Sequence, residues 1–462
     1  MLMVIVLAQV IGHVFITSLV FLEHEDFRIK CLCCICSNKS DDCKSRGIKY
    51  NNMLVMLVRP FLSRSMSRLV LCSFLFQILA SAQDLGVPLT WREFSNSRLL
   101  AERISIAEDA INTILPQLDT SDAQLNGIGY WQSGNVFSAM ANFDHLVGTT
   151  TYETQVVNGL STAFNLYSNF DQFGYAIYND DAMWWATAAY YGYRAYGDEN
   201  LLSMAIATWN HVSQYVITTT DAATGVQPNK DFEIAGTCFD ESMAGGVFWR
   251  PTVDDTSINS ITTGLFMTLS AFLAETTGDA TYTNAAILSA QWSQNLQINA
   301  DGIVLDTVDG ADCTRSPATW LFTYNSGKYL EGLSILKDVT ADSAWTSLMT
   351  DIAAAAIKSS VWEGSNGIIT EGSSPTANND GVGFKAIFIR GLDEVSVRSS
   401  DNSALQILIH SYNDVQYNAL LELAANGTSY SSSWPGPPQE FTTWGQLAAL
   451  DVMVTAINTN SP

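Results

Sequence analysis

Positive charge is what this sequence has least of. Of 462 residues only 22 are Lys or Arg, against 46 Asp or Glu, and the formal net charge is -24. A nucleic-acid binder neutralises phosphates with clustered Lys and Arg. No such cluster occurs after Arg68, which excludes nucleic acid as a partner. Histidine is also scarce, and His145, His211 and His410 lack the spacing of metal ligands. After residue 72 only two cysteines remain, Cys238 and Cys313. Two lone cysteines in a secreted domain most simply form one disulfide, with two separate buried thiols as the other reading. The alternation of strands and helices that a doubly wound sheet requires is missing too.

The front of the chain differs from the rest. Cys31, Cys33, Cys34, Cys36, Cys43 and Cys72 crowd into it, but their overlapping CxxC spacings lack the second, separated pair of a zinc site. Residues 1–22 are almost wholly apolar and long enough to span a bilayer. A second start follows at Met66-Ser67-Arg68, with an apolar run from Leu69 to Ala80 and a small-residue cleavage signal, Ala80-Ser81-Ala82. This is the organisation of a secretory signal peptide. Two entry signals in tandem are redundant. Residues 1–65 are therefore read as an upstream extension of the gene model, with a membrane anchor as the alternative. Residues 66–82 are read as the signal peptide and 83–462 as a secreted, extracellular, monomeric domain without a membrane segment. The chain ends without the hydrophobic tail of a GPI signal. Asn426-Gly427-Thr428 is a glycosylation sequence.

The body reads as consecutive helix pairs. Leu100, Ile104, Ala107, Ile111 and Ile114 fall at helical spacing, as do Ala205, Trp209, Val212 and Val216. The segments 135–146, 183–196, 262–275, 328–337, 345–356 and 403–425 are helix-like as well. Gly148-Thr149, Gly197-Asp198, Gly278-Asp279 and Ala341-Asp342 each end one helix shortly before another opens. Glycine- and aromatic-rich stretches at 126–134, 235–250, 317–327 and 378–391 read as loops between pairs. Such an all-α chain stacks as an open solenoid or closes into a toroid, and periodicity does not choose between them.

The chemistry centres on Asn179-Asp180-Asp181-Ala182-Met183-Trp184-Trp185. Asn179 suits an N-cap, which places both acids in a first helical turn. Acids there ordinarily do no more than complement the helix dipole, and two tryptophans are ordinarily core. Their conjunction suggests more. Retaining glycosidases hold two carboxyl groups about 5–5.5 Å apart, roughly the Cβ separation of adjacent helical residues. An indole offers a flat face to a sugar, and consecutive helical residues diverge by about 100°, so one of the two tryptophans faces a ligand.

Asp180-Asp181-Ala182-Met183-Trp184-Trp185 resembles the Asp-Asp-x-x-Trp-Trp motif of glycoside hydrolase family 76, the endo-α-1,6-mannanases. In the same order, Gly129-Tyr130-Trp131-Gln132-Ser133-Gly134-Asn135 resembles its aromatic Trp-Gln segment, and Gly245-Gly246-Val247-Phe248-Trp249 its Gly-Gly-x-x-Trp loop. Thr323-Tyr324-Asn325-Ser326-Gly327 resembles its Thr-Tyr-Asn-x-Gly, and Phe384-Lys385-Ala386-Ile387-Phe388-Ile389-Arg390 its Phe-Lys-Gly-Ile-Phe-x-Arg. Ala386 departs from the usual glycine, and Phe248 stands where tryptophan is frequent. The resemblance spans roughly residues 95–457. It implies an (α/α)6 toroid, a six-hairpin barrel, with Asp180 as nucleophile and Asp181 as general acid/base of a retaining hydrolysis of α-1,6-linked mannan, without metal or organic cofactor. Trp131, Trp184, Trp185 and Trp249 are candidate sugar platforms. Tyr324, Asn325 and Lys385 are candidate hydrogen-bonding partners of mannose hydroxyls, and a Cys238–Cys313 disulfide would brace the cleft floor. A cell-wall transglycosidase and a non-catalytic glycan-binding protein are the competing functions, and retention of both acids speaks against the second.

Overall fold

The computed structural model describes residues 84–172, 178–373 and 379–459, together with the backbone of four strands near the start of the chain. Those strands, Met3–Ile11, Val14–Leu22, Ile29–Ser37 and Lys44–Lys49, pair antiparallel in sequence order within a unit separate from the rest. The apolar run 1–22 thus includes two paired strands. The side chains of the early cysteines and the expected signal segment 66–82 lie outside the described residues. Among the described residues no helix is long and apolar enough to cross a membrane.

The second unit is a ring of helix pairs. In chain order the long helices are α1 (Leu100–Ile114), α2 (Tyr130–Val147), α3 (Glu153–Leu166), α4 (Asn179–Tyr196), α5 (Glu199–Val212) and α6 (Ser260–Thr277). They continue with α7 (Ala280–Leu296), α8 (Thr323–Thr340), α9 (Ser343–Ile357), α10 (Gly381–Val397), α11 (Ser403–Ala419) and α12 (Thr443–Thr455). Each even-numbered helix packs against the next even-numbered one, and α12 packs back on α2, closing the ring. The odd-numbered helices lie outside, α3 against α2 and α4, α5 against α4 and α6, α7 against α6 and α8, α11 against α10 and α12, and α1 against α12 and α2, while α9 packs on α8 and α11. The fold is an (α/α)6 toroid.

Burial separates the two layers. Every residue of α6 from Ser260 to Ala274 is buried, whereas α3 buries only Val156, Leu160 and Ala163. An inner helix has neighbours all round and therefore needs no polar face, while an outer helix needs only one apolar stripe. The turns between layers follow their sequence. Gly197 and Gly278 end α4 and α6 in the left-handed region, and the next residues, Asp198 and Asp279, cap α5 and α7 by accepting from Asn200 N and Thr281 N.

The stretch 378–391, expected as a loop, is instead most of inner helix α10. Its glycines reflect crowding between helices. A Cβ on Gly391 would lie 2.1 Å from Gly327 O, and one on Gly327 would lie 2.5 Å from Phe388 Cα. Helices α8 and α10 thus meet backbone to backbone, and burial all round removes the polar face by which a helix is recognised. The expected loops 126–134 and 317–327 likewise run into the starts of α2 and α8.

Several charged side chains inside the ring are paired. Arg390 donates twice to Asp451, at 2.9 and 2.8 Å, and at 2.7 Å to Asn135 Oδ1, joining α10, α12 and α2. Lys328 Nζ lies 2.7 Å from Glu331, which also accepts from the Tyr191 hydroxyl.

Candidate active site

A cleft of about 770 Å³ opens at the N-terminal ends of α2, α4, α6, α8 and α10. Helix N-termini carry partial positive charge, which suits a lining that contains Asp180, Asp181, Asp306, Asp309 and Asp380 against one cation, Arg315. Short strands build one wall. Ser257–Asn259 pairs antiparallel with Thr307–Asp309, with Asn259 opposite Thr307 and Ser257 opposite Asp309. Side chains alternate along a strand. Ser257, Asn259, Thr307 and Asp309 therefore line the cleft, while Ile258 and Val308 are fully buried behind it.

Asp180 and Asp181 both occupy the first turn of α4 and reach the cleft. The helix begins one residue earlier than an Asn179 cap requires. Tyr178 is the cap position, without a side-chain capping bond, and the Asn179 amide donates at 2.8 Å to Phe248 O. This bond, with Asn179 N to Trp249 O at 2.8 Å, ties the start of α4 to the Gly-Gly-x-x-Trp loop. The Trp249 indole then donates to Asp180 Oδ2 at 3.3 Å. Arg250 steadies the arrangement. Its guanidinium lies 4.6 Å from the Tyr178 ring centre and 4.7 Å from that of Trp249, and it donates to the Tyr178 hydroxyl at 2.9 Å. Lys230 Nζ holds the following loop through the carbonyls of Arg250, Thr252 and Asp255, at 2.7–2.9 Å.

The two carboxyls are not equivalent. Burial pushes Asp180 up to about 7, against the opposing hydrogen bonds from Trp249 and from the backbone amides of the helix start. Asp181 is raised well above the usual carboxylate range, by burial first and then by the charges of Asp180, Asp380 and Asp171. The donors around Asp180 favour its ionised form, whereas the charge of Asp180 favours the protonated form of Asp181.

The other candidate residues divide. Trp131, Trp249 and Tyr324 are partly exposed and line the cleft. Trp184 borders it but is only 1% exposed, stacked beneath Trp131 at 5.4 Å. Trp185 faces the other way, fully buried, donating to Tyr130 O at 3.1 Å and stacked on the Tyr130 ring. It belongs to the core, as the helical divergence of neighbouring residues requires. Asn325 is buried and holds Asp306 Oδ1 at 3.1 Å, so it reaches the cleft through that carboxylate. Lys385 is buried as well, donating to Glu371 O and Val382 O at 3.0 and 3.1 Å outside the cleft lining. Cys238 and Cys313 are joined in a disulfide, and Cys313 directly precedes Thr314, Arg315 and Ser316 of the cleft wall. Asn426 is exposed in a small hairpin.

Three acids of the cleft were not picked out from the sequence. Asp380 lies just before α10 and accepts from Gln132 Nε2 at 2.8 Å, bridging α10 to α2. Reading 378–391 as a loop hid its place beside the pair. Asp306 and Asp309 flank Thr307-Val308, and only the strand alternation would have assigned Asp309 to a face.

Comparisons with known proteins agree with this architecture. The sequence model of Glycosyl hydrolase family 76 matches residues 230–462. The chain is 22% identical over 356 residues to the mannan endo-1,6-alpha-mannosidase DCW1 of Saccharomyces cerevisiae, covering 72% of this chain and 73% of that protein. In three dimensions it is similar to the alpha-1,6-mannanase GH76A of Salegentibacter sp. HEL1_6, with a TM-score of 0.65 at 16% identity, covering 78% of this chain and 100% of that one. That structure is an inactive variant, with two consecutive aspartates exchanged for asparagine, in complex with alpha-1,6-mannotriose. Dfg5 of Chaetomium thermophilum, in complex with glucosamine, is similar with a TM-score of 0.62 at 17% identity, covering 80% of this chain and 93% of that one. With half the chain matched by the family's model and the ring of helix pairs closed, the protein belongs to glycosyl hydrolase family 76 and is a glycoside hydrolase.

Proposed function

We propose that the enzyme is a secreted, retaining endo-α-1,6-mannanase that works through Asp180 and Asp181. The observation that carries this reading is the placement of two adjacent carboxyls, unequal in proton affinity, at one helix start in the cleft. Asp180, as the carboxylate, attacks the anomeric carbon of a mannosyl unit. The bond from that carbon to the glycosidic oxygen breaks, and the leaving chain takes the proton of Asp181. In the second step the Asp181 carboxylate accepts a proton from water. The hydroxyl adds to the anomeric carbon, and Asp180 is released. Trp249 steadies the Asp180 carboxylate, while Trp131 and Tyr324 offer partly exposed rings to the glycan. The names of the similar mannanases support the substrate, and the Cys238–Cys313 disulfide supports an oxidising, extracellular location. Asn426 is the proposed glycosylation site. A transglycosidase would share the first step and replace water by a sugar hydroxyl, for which Asn259, Thr307 and Ser316 provide polar partners in the cleft.

Linear α-1,6-mannan tests the reading. The expected result is shortened oligomers whose new reducing ends are first formed as the α-anomer. Longer products at high acceptor concentration identify the transglycosidase, and first-formed β-anomer contradicts retention.

A further inference from the structure

The approach to α8 carries aromatic residues at every second position, Trp320, Phe322 and Tyr324, and all three line the cleft. The residues between them turn elsewhere. Leu321 packs against the core, and Thr323 donates through its amide and hydroxyl to Glu371. Trp320 is anchored by a turn, its amide bonded to Pro317 O at 2.8 Å, and the Phe322 backbone is extended into the helix. The ring centres step by 6.4 Å from Trp320 to Phe322 and by 6.1 Å from Phe322 to Tyr324. At the inner end Tyr324 stacks on Phe384 at 3.9 Å and is close enough for the Asp180 charge to bear on its phenol. At the outer end Trp320 is 49% exposed. An indole with half its surface in water forgoes much of the stabilisation that full burial would give, and this one has Phe322 as its aromatic neighbour in the cleft lining.

We propose that Trp320, Phe322 and Tyr324 form an aromatic ladder leading out of the catalytic centre, with Trp320 as a remote platform for a sugar unit of the glycan chain. This rests on the reading of Asp180 and Asp181 as the catalytic pair. The rings are turned by 42° and then 80° from one to the next. A 1,6-linked chain suits such a path, because each linkage includes an extra rotatable bond. The ladder makes longer glycans better ligands, which is the behaviour of an endo-acting enzyme.

Affinity and turnover on α-1,6-mannooligosaccharides of three to six units test the ladder. Affinity is read on the Asp180→Asn variant, and kcat and KM on the active protein. Affinity should rise with length, and Trp320→Ala should lose about tenfold on the hexaose, in Kd and KM rather than kcat, with the loss shrinking toward the triose. Trp320→Tyr should restore most of it. An equal loss at every length, or no loss at any, overturns the ladder. Because length dependence is read by binding, a protein that binds these glycans but cleaves none overturns the catalytic reading and leaves the ladder standing or falling by its own data.

Discussion

The inner ring holds acids that face cations and acids that do not. Near the C-terminal end of α10 Glu394 would be raised by burial, but the guanidiniums of Arg194 and Arg398 hold it down to about 2, while its neighbour Asp393 is pushed up to about 7 by burial. At the open side Asp180 has no cation against it and is pushed up to about 7. In the ring interior Asp451 and Glu331 each have a buried cation, Arg390 and Lys328. The chain has few cations and spends several of them inside the ring, away from the catalytic pair. Raised acids elsewhere refine the lesson. Glu363 is pushed up to about 8 by burial, yet it does not line the cleft. A high proton affinity therefore indicates chemistry only where a substrate can arrive.

The comparison can be broken first at the paired acids. Asp451→Asn leaves the Arg390 guanidinium buried without its counter-charge, and about 3–5 kcal/mol of stability should be lost in denaturant unfolding. Glu394 adds a pH signature. Its folded value lies below the unfolded one, so its contribution is present above about 4.5 and is lost as pH falls toward about 2. Replacing it by Gln should flatten that acid limb of the stability curve.

Trp249→Phe sharpens the other side. It keeps a ring and removes the donor to Asp180, so kcat should fall about tenfold, the value of one hydrogen bond to a charged group. That bond lowers the proton affinity of Asp180. Its loss should move the acid limb of the pH–rate profile to higher pH, whereas a profile that falls in height without moving would place Trp249 in a purely steric role. The smallest effect is expected at Trp131, where Ala should raise KM about fivefold through loss of an aromatic platform while kcat changes little.

How much of this was legible in the sequence depended on which physical signal each element leaves. Adjacent acids followed by adjacent tryptophans could be located by inspection, and rotation along a helix predicts that Trp184 and Trp185 part company. Turns such as Gly197-Asp198 were legible because a left-handed residue followed by a cap is a local requirement. Helix α10 was not, since an inner helix is buried on all sides and Gly391 is needed for its contact with α8. Asp380 was lost with it. Lys385 and Asn325 were misplaced relative to the cleft for a related reason. Both sit in motifs that also serve packing, and a motif alone does not say which of its side chains turns inward.

The most direct test of the contrast is Asp180→Asn, measured for stability and activity together. The folded value of Asp180 lies above its unfolded value of about 3.9, so its ionisation costs stability progressively as pH rises from about 4 to about 7. If this acid is kept without a cation for catalysis, the variant melts above the parent at pH 8, the difference vanishes near pH 4, and activity on α-1,6-mannan falls by about 10⁴–10⁶, the scale of losing a covalent nucleophile. A variant that melts below the parent at pH 8, or that still cleaves mannan at the parent's rate, would contradict it.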